Sequence, residues 1–166
     1  GTSPLSTGKI KVGKTNNKYV VEIDEGKKKF YVVENYNKDN PNKSIILEVN
    51  ENDVKNVKRE PVFNVFGIGA VDKNPNVLGA VRAYVEEWKT VEKAIKGGAN
   101  FAGAEYIHNG QNTLYKMRWN PRIAEGYAWK QYATDIGWAR KQISRIKEVY
   151  SFIDRPNYHY DIAEYK

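Results

Sequence analysis

The 166-residue chain contains no cysteine, and that absence removes disulfide staples, thiolate metal sites and cysteine nucleophiles at once. Histidine is nearly absent too: His108 and His159 lie far apart and without clustered acids, so neither a metal site nor a Ser-His-Asp triad is expected. No glycine-rich phosphate-cradling loop is present, and no cofactor is expected. No apolar run approaches the roughly 18 residues of a membrane span. The opening Gly1-Thr2-Ser3-Pro4 lacks the charged and apolar regions of a signal peptide, so if the protein is exported the signal is expected upstream.

What is present is a folding composition. Apolar residues make up 40% and aromatics 13%, which argues against disorder and leaves Tyr and Trp for a surface cleft. Lys and Arg number 27 against 20 acids, a net +7 that draws the chain toward nucleic acid, anionic lipid or an acidic cell wall. Lys27-Lys28-Lys29 is the densest basic run, and no Arg-rich helix or RNP-like aromatic strand accompanies it. Nucleic acid is therefore not the expected partner.

Two textures meet near Pro61. Ile10 to Val12, Lys18 to Ile23, Lys29 to Glu34 and Ser44 to Val49 are rich in Val, Ile and Tyr and read as strands, separated by Glu25-Gly26 and Asn40-Pro41-Asn42. The Lys- and Asn-rich character of this part predicts a solvent-facing antiparallel sheet that adds little to the main core. Beyond Pro61 the period becomes helical. Val77, Val81, Tyr84 and Trp88 share a face after Asn74-Pro75, and a second stripe follows Thr90, an N-cap candidate. Gly97-Gly98 inside that second helix predicts close approach of another backbone or a break. A third helix is predicted from about Thr134 to Ile153, where Ile136, Ala139, Ile143, Ile146, Tyr150 and Ile153 step by three and four. Between Asn109 and Gln131 lies an aromatic loop with Leu114, Tyr115, Met117, Trp119, Tyr127 and Trp129 around Gly110, Pro121 and Gly126, of the kind that lines a site.

Specific strings stand within this frame. They are Asn64-Val65-Phe66-Gly67-Ile68-Gly69-Ala70-Val71-Asp72, then Gly110 to Pro121, then Gln131-Tyr132-Ala133-Thr134-Asp135 with Trp138-Ala139. In that order they resemble the glucosaminidase domains of Gram-positive autolysins, glycoside hydrolase family 73. Tyr160-Asp161-Ile162 to Tyr165 also resembles the end of such a domain, so the likeness covers about residues 1–8 and 61–166. It implies an α+β, lysozyme-like fold, mainly helical, with a small antiparallel β lobe inserted in the N-terminal part. One domain over 1–166 is expected, with 9–60 as the insertion. It further implies hydrolysis of the β-1,4 bond between N-acetylglucosamine and N-acetylmuramic acid in peptidoglycan, by a secreted, cell-wall-associated enzyme. The alternative is a non-catalytic domain that only holds the wall glycan.

In the family a Glu-Thr-Gly-x-Gly-Thr-Ser motif carries the general acid, and this chain opens Gly1-Thr2-Ser3, which places that Glu just ahead of Gly1. The 166 residues alone are then expected to be inactive, needing the upstream helix in a longer chain or as an associated fragment. Asp72, read by itself, is a turn former; the resemblance makes it the second carboxylate, orienting water or the acetamido group. Tyr132 is either a packed aromatic or a phenol bonded to substrate. Thr134 and Asp135 are expected to cap and charge the following helix. Tyr106, Gln111, Tyr115 and Trp119 are candidates for sugar contact, with Gln131, while Asn64 and Phe66 border the cleft as buttresses; Gly67 and Gly69 supply tight backbone. In the insertion, Glu22, Glu34 and Glu48 are candidates to rim the cleft.

Overall fold

The computed structural model describes residues 3–120, 122, 130–155, 157, 159–162 and 164. Of the positions discussed above, Gly1, Thr2, Pro121, Gly126, Tyr127, Trp129 and Tyr165 lie outside the described residues. The fold is α+β, and the chain divides into two compact units, residues 1–100 and 101–166.

The first unit is built on a sheet of β1 (Ile10–Thr15), β2 (Lys18–Asp24), β3 (Lys28–Glu34), β4 (Ile45–Val49) and β5 (Glu60–Pro61), in the order β4-β3-β2-β1-β5 with antiparallel pairing. The β1–β2 hairpin turns on Asn16 and Asn17, both at positive φ, 44° and 60°. Asparagine tolerates that left-handed region, and consecutive positive φ values give the turn a twist that matches the strands. The strands consequently run longer than the apolar letters suggest, with β1 reaching Thr15.

Side chains alternate across a strand, so β2 serves two layers. Val20 and Glu22 face the short helix α1 (Glu51–Val54), where Val20, Phe30 and Val54 form a buried cluster. Tyr19 lies on the opposite face, its ring edge-on to Tyr84 of helix α2 (Pro75–Val85) at 6.0 Å. Both faces are covered, so Val20, Val21, Glu22 and Ile23 are all buried. This corrects the expectation of a solvent-facing sheet that adds little to the core. Its lysines are exposed while Ile10, Val12, Phe30 and Val33 are buried, and composition alone does not separate the two sets.

The helix starts follow capping chemistry. Asn74 accepts from the Val77 amide, with Pro75 at the first position of α2. Thr90 Oγ1 accepts from the Lys93 amide at the start of α3 (Val91–Glu105), as expected. Gly97 and Gly98 do not break α3. A Cβ on Gly97 would lie 2.1 Å from Trp88 Nε1, and one on Gly98 2.2 Å from Phe66 Cδ2, so the close approach is by aromatic rings and not by backbone.

The second unit contains the end of α3, α4 (Leu114–Arg118) and α5 (Trp138–Tyr150), and α4 packs on α5. α4 falls within the predicted aromatic loop. Thr113 caps it by accepting from the Lys116 amide at 3.1 Å, a signal hidden among aromatic residues. α5 is shorter than expected, leaving Ile136 and Ile153 outside it. Its N-cap is Gly137 and not Thr134, because Asp135 first forms a turn by accepting from the Gly137 amide. No described helix is long and apolar enough to cross a membrane.

Candidate functional site

In the first unit the site begins with Asn64, 2% exposed, whose amide spans its own loop. Its Nδ2 donates to the carbonyls of Ile68 (2.8 Å) and Gly79 (3.0 Å), and its Oδ1 accepts from the Ile68 amide (3.0 Å). These hydrogen-bonding groups are committed internally, so Asn64 ties its loop to α2. Gly67 and Gly69 adopt positive φ, 68° and 72°, which lets the chain fold back so that the Ala70 amide reaches the Gly67 carbonyl. Phe66 packs its ring on Gly98 of α3 and is half-buried.

This loop delivers Asp72 to a turn directly ahead of the α2 cap. Asp72 is exposed and makes no hydrogen bond or ion pair among the described residues. Its neighbour Lys73 is fastened instead, Nζ donating to the Ser44 carbonyl at 2.8 Å. The backbone is therefore held while the carboxylate stays in water.

In the second unit an aromatic cluster surrounds Tyr132. Its ring stands edge-on to Tyr106 at 5.3 Å and tilted against Trp138 at 5.0 Å, while Phe101 lies 6.3 Å from Tyr106. The Tyr132 amide donates to the Met117 carbonyl at 2.9 Å, fixing the segment to α4. Burial, with Tyr106 adding to it, pushes the Tyr132 phenol up to about 12. Burial raises Tyr106 too, with Glu105 contributing. At any ordinary pH Tyr132 is a neutral hydrogen-bond donor and not a phenolate. Lys130 pairs with Glu105 at 3.0 Å and lies 5.8 Å from the Tyr106 ring centre.

Gln111 is displaced from its expected role as a sugar contact. It is 1% exposed, and its Nε2 donates to the carbonyls of Lys116 and Lys130, both at 2.9 Å, clamping α4 to the strand of chain that leads into Tyr132. Tyr115 and Trp119 remain 42% and 38% exposed, and aromatic rings of this kind stack on pyranose rings. Gln131 is exposed, and its Oε1 accepts from Arg118 Nη1.

Arg118 is the residue that sequence reasoning missed. It is buried, donates from Nε to the Asp135 carbonyl (2.8 Å) and from Nη2 to the Thr134 carbonyl (3.0 Å), and stacks 4.0 Å from the Trp119 ring centre. One guanidinium thus binds Gln131, Thr134, Asp135 and Trp119 together. An arginine amid an aromatic string was the available signal. Asp135 pairs with Lys141 at 2.6 Å, and the Lys141 hydrogen bond, with the Gly137 amide, holds its carboxyl below the usual range; it lies ahead of α5 and is not the first-turn acid expected there.

Of the insertion acids, Glu22 is buried and paired with Arg59 at 2.8 Å, Glu34 pairs with Lys18, and Glu48 is exposed. A groove of about 350 Å³ lined by Gly8, Lys9, Lys11, Glu22, Asp24 and Gly26 includes none of the candidate residues apart from that paired glutamate. Among the described residues no group of three or more His, Cys, Asp or Glu side chains is arranged to hold a metal.

No family model matches the chain. Against individual proteins it is 51% identical over 108 residues to a beta-N-acetylglucosaminidase of Bacillus subtilis (strain 168), covering 63% of this chain and 12% of that protein. It is 48% identical over 103 residues to bifunctional autolysins of Staphylococcus aureus (strain MSSA476) and Staphylococcus epidermidis, covering 62% of this chain and 8% of each. The match thus spans about a tenth of the length of these curated relatives. Among solved structures, the crystal structure of S. aureus autolysin E is 41% identical, over 56% of this chain and 40% of its own, with a TM-score of 0.46. That of the major bifunctional autolysin is 46% identical, over 64% and 45%, with a TM-score of 0.41. Over the shared stretch, about half-identical in sequence, this chain is similar to a beta-N-acetylglucosaminidase and to bifunctional autolysins.

Proposed function

We propose that the chain belongs to a peptidoglycan hydrolase, secreted and cell-wall-associated, that cleaves the β-1,4 bond on the reducing side of N-acetylglucosamine. The carrying observation is the half-identical stretch shared with a glucosaminidase and with autolysins. Residues 9–60 are an insertion in this reading. Its two ends meet where an insertion needs them to, since the Val62 amide donates to the Ile10 carbonyl at 3.1 Å and Lys11 pairs with Pro61.

The chemistry assigns one acid and two helpers. Protonation of the leaving oxygen falls to the glutamate that the resemblance puts just ahead of Gly1. Asp72, in water on a fastened turn, orients the attacking water or the acetamido group. Tyr132, kept protonated by burial, donates to the substrate carbonyl or to charge that develops in the transition state. Tyr115 and Trp119 offer their faces to sugar rings. The partner is the glycan strand; neither nucleic acid nor membrane insertion has a part.

The test is product analysis. The full gene-encoded protein, incubated with purified cell walls, is expected to release fragments with N-acetylglucosamine at the reducing end, identified by mass spectrometry after borohydride reduction. Fragments ending in N-acetylmuramic acid, or binding without release, would replace this reading with a muramidase or a glycan-holding domain. The 166 residues by themselves are expected to leave wall turbidity unchanged.

A further inference from the structure

Asp72 lies among residues that carry the family resemblance, yet the contact that fastens its turn comes from outside them. Lys73, the next residue, reaches the carbonyl of Ser44 at the entrance to β4. Ser44 is fully buried, so the acceptor is a fixed point. The segment around it is locally hydrogen-bonded: the Asp39 amide bonds Asn37 Oδ1, and the Lys43 and Ser44 amides bond the Asn40 and Pro41 carbonyls in a short 3-10 turn.

That segment is also tied to α2. Arg82 Nη1 donates to the Lys38 carbonyl at 3.3 Å, while Nη2 pairs with Glu86 at 3.0 Å. The same Arg82 side chain lies under Gly69 of the motif loop, where an added Cβ would come within 3.1 Å of it. Tyr36 stands edge-on to Tyr19 at 5.7 Å, and Tyr19 in turn to Tyr84 of α2. Residues 35–44 therefore meet the turn after the motif loop through Ser44 and α2 through Lys38, and Lys73 is the point nearest Asp72 in sequence.

We propose that residues 35–44 of the β-rich part are a brace that positions Asp72, acting through the Lys73 ammonium, so that Lys73 is a positioning residue for glycan cleavage. This rests on the reading of Asp72 as the second carboxylate. A half-solvated lysine bond adds little to folding, but it fixes the direction of a turn that carries a reacting group. Misplacing such a group by about 1 Å costs on the order of a hundredfold in rate.

The experiment uses the full gene-encoded protein on purified cell walls, with kcat and KM measured alongside Tm. Lys73→Met keeps the stem and loses the donor; kcat is expected to fall about tenfold with KM and Tm nearly unchanged. Lys73→Arg, which still donates, is expected to recover most of that loss. Replacing residues 38–42 by two glycines is expected to lower kcat similarly, and adding Lys73→Met to it to cause no further loss, because both act through one contact. Wild-type kcat in Lys73→Met, or fully additive losses, overturns the brace. Asp72→Asn separates the two ideas. If it is inactive while Lys73→Met is unimpaired, only the brace fails; if it keeps near wild-type activity, the reading of Asp72 fails and the brace with it.

Discussion

Each of the two compact units is stabilised internally by different means. In residues 1–100, apolar side chains from the sheet and α2 are sealed away, with Ile10, Val12, Val21, Val33, Val77, Leu78 and Val81 at or near zero exposure. In residues 101–166 the described residues bury Gln111, Arg118 and Asn120, with Ala102 as the buried apolar side chain. There the large apolar groups of α5, such as Ile143, Ile146 and Val149, keep a third or more of their surface exposed. The first unit is shaped by desolvation and the second by directional bonds from polar clamps. Directional bonds fix geometry but leave little margin in stability, since a net hydrogen bond contributes about 1 kcal/mol against 2 to 5 for a buried aliphatic side chain.

The largest effect that can break this comparison is a matched pair of truncations. Ile10→Ala in the first unit is expected to cost about 3 kcal/mol in urea unfolding, through lost transfer energy and the cavity left behind. Ile143→Ala in α5 is expected to stay within about 0.5 kcal/mol. Equal costs would mean that the second unit has an apolar core like the first. Next in size is Arg118→Met, which leaves the Thr134 and Asp135 carbonyls without their buried donor and removes the bond to Gln131. A loss of about 2 kcal/mol is expected, together with a fall in the near-ultraviolet signal of the Tyr132–Trp138 cluster. An unchanged signal would show that the guanidinium does not hold the cluster.

Tyr132→Phe sharpens the same contrast on the side of activity. The ring contacts to Tyr106 and Trp138 survive the change, so Tm is expected to hold within a degree or two while kcat falls about tenfold, the contribution of one donated hydrogen bond. A lowered Tm with unchanged kcat would make Tyr132 a packing residue alone.

Much of this was legible in sequence because the signals were local. Asn74-Pro75 and Thr90 announced their helices by capping chemistry, and the β-branched runs announced four of the strands. Asp72 on a turn and Gly67 and Gly69 at positive φ followed from residue type and motif. What escaped depends on distant partners. Gln111 looked like a sugar ligand because an amide is equally suited to a sugar and to two carbonyls, and only the fold brings Lys116 and Lys130 to it. Arg118 escaped for the same reason, its acceptors lying in a segment thirteen or more positions away. The sheet's share of the core escaped because exposed lysines dilute the average over a strand whose alternate residues are buried. Glu22 belongs with these, an acid whose partner, Arg59, is 37 positions away.

That pair provides the smallest and most selective test. Burial by itself would raise the Glu22 carboxyl, but the Arg59 hydrogen bond and charge, helped by Lys28 and Lys11, hold it below 4.5. Arg59 also donates to the Val54 and Val57 carbonyls, so the ion pair joins β2 to the end of α1. A carboxyl depressed in the folded state contributes stability that is fully present above its unfolded value and is lost as pH falls through the folded one. Stability of the first unit is therefore expected to be flat with respect to this group at neutral pH and to decline below about pH 4.5. Glu22→Gln is expected to lower stability at pH 7 by about 1 to 3 kcal/mol, since Arg59 loses its charged partner, and to shrink the acid-side slope. Urea midpoints for both proteins at pH 7, 5 and 3.5 would show the curves converging as the wild-type carboxyl protonates. Parallel curves would mean that the acid loss arises elsewhere, and that the α1 layer is held by the Val20, Phe30 and Val54 cluster without measurable help from charge.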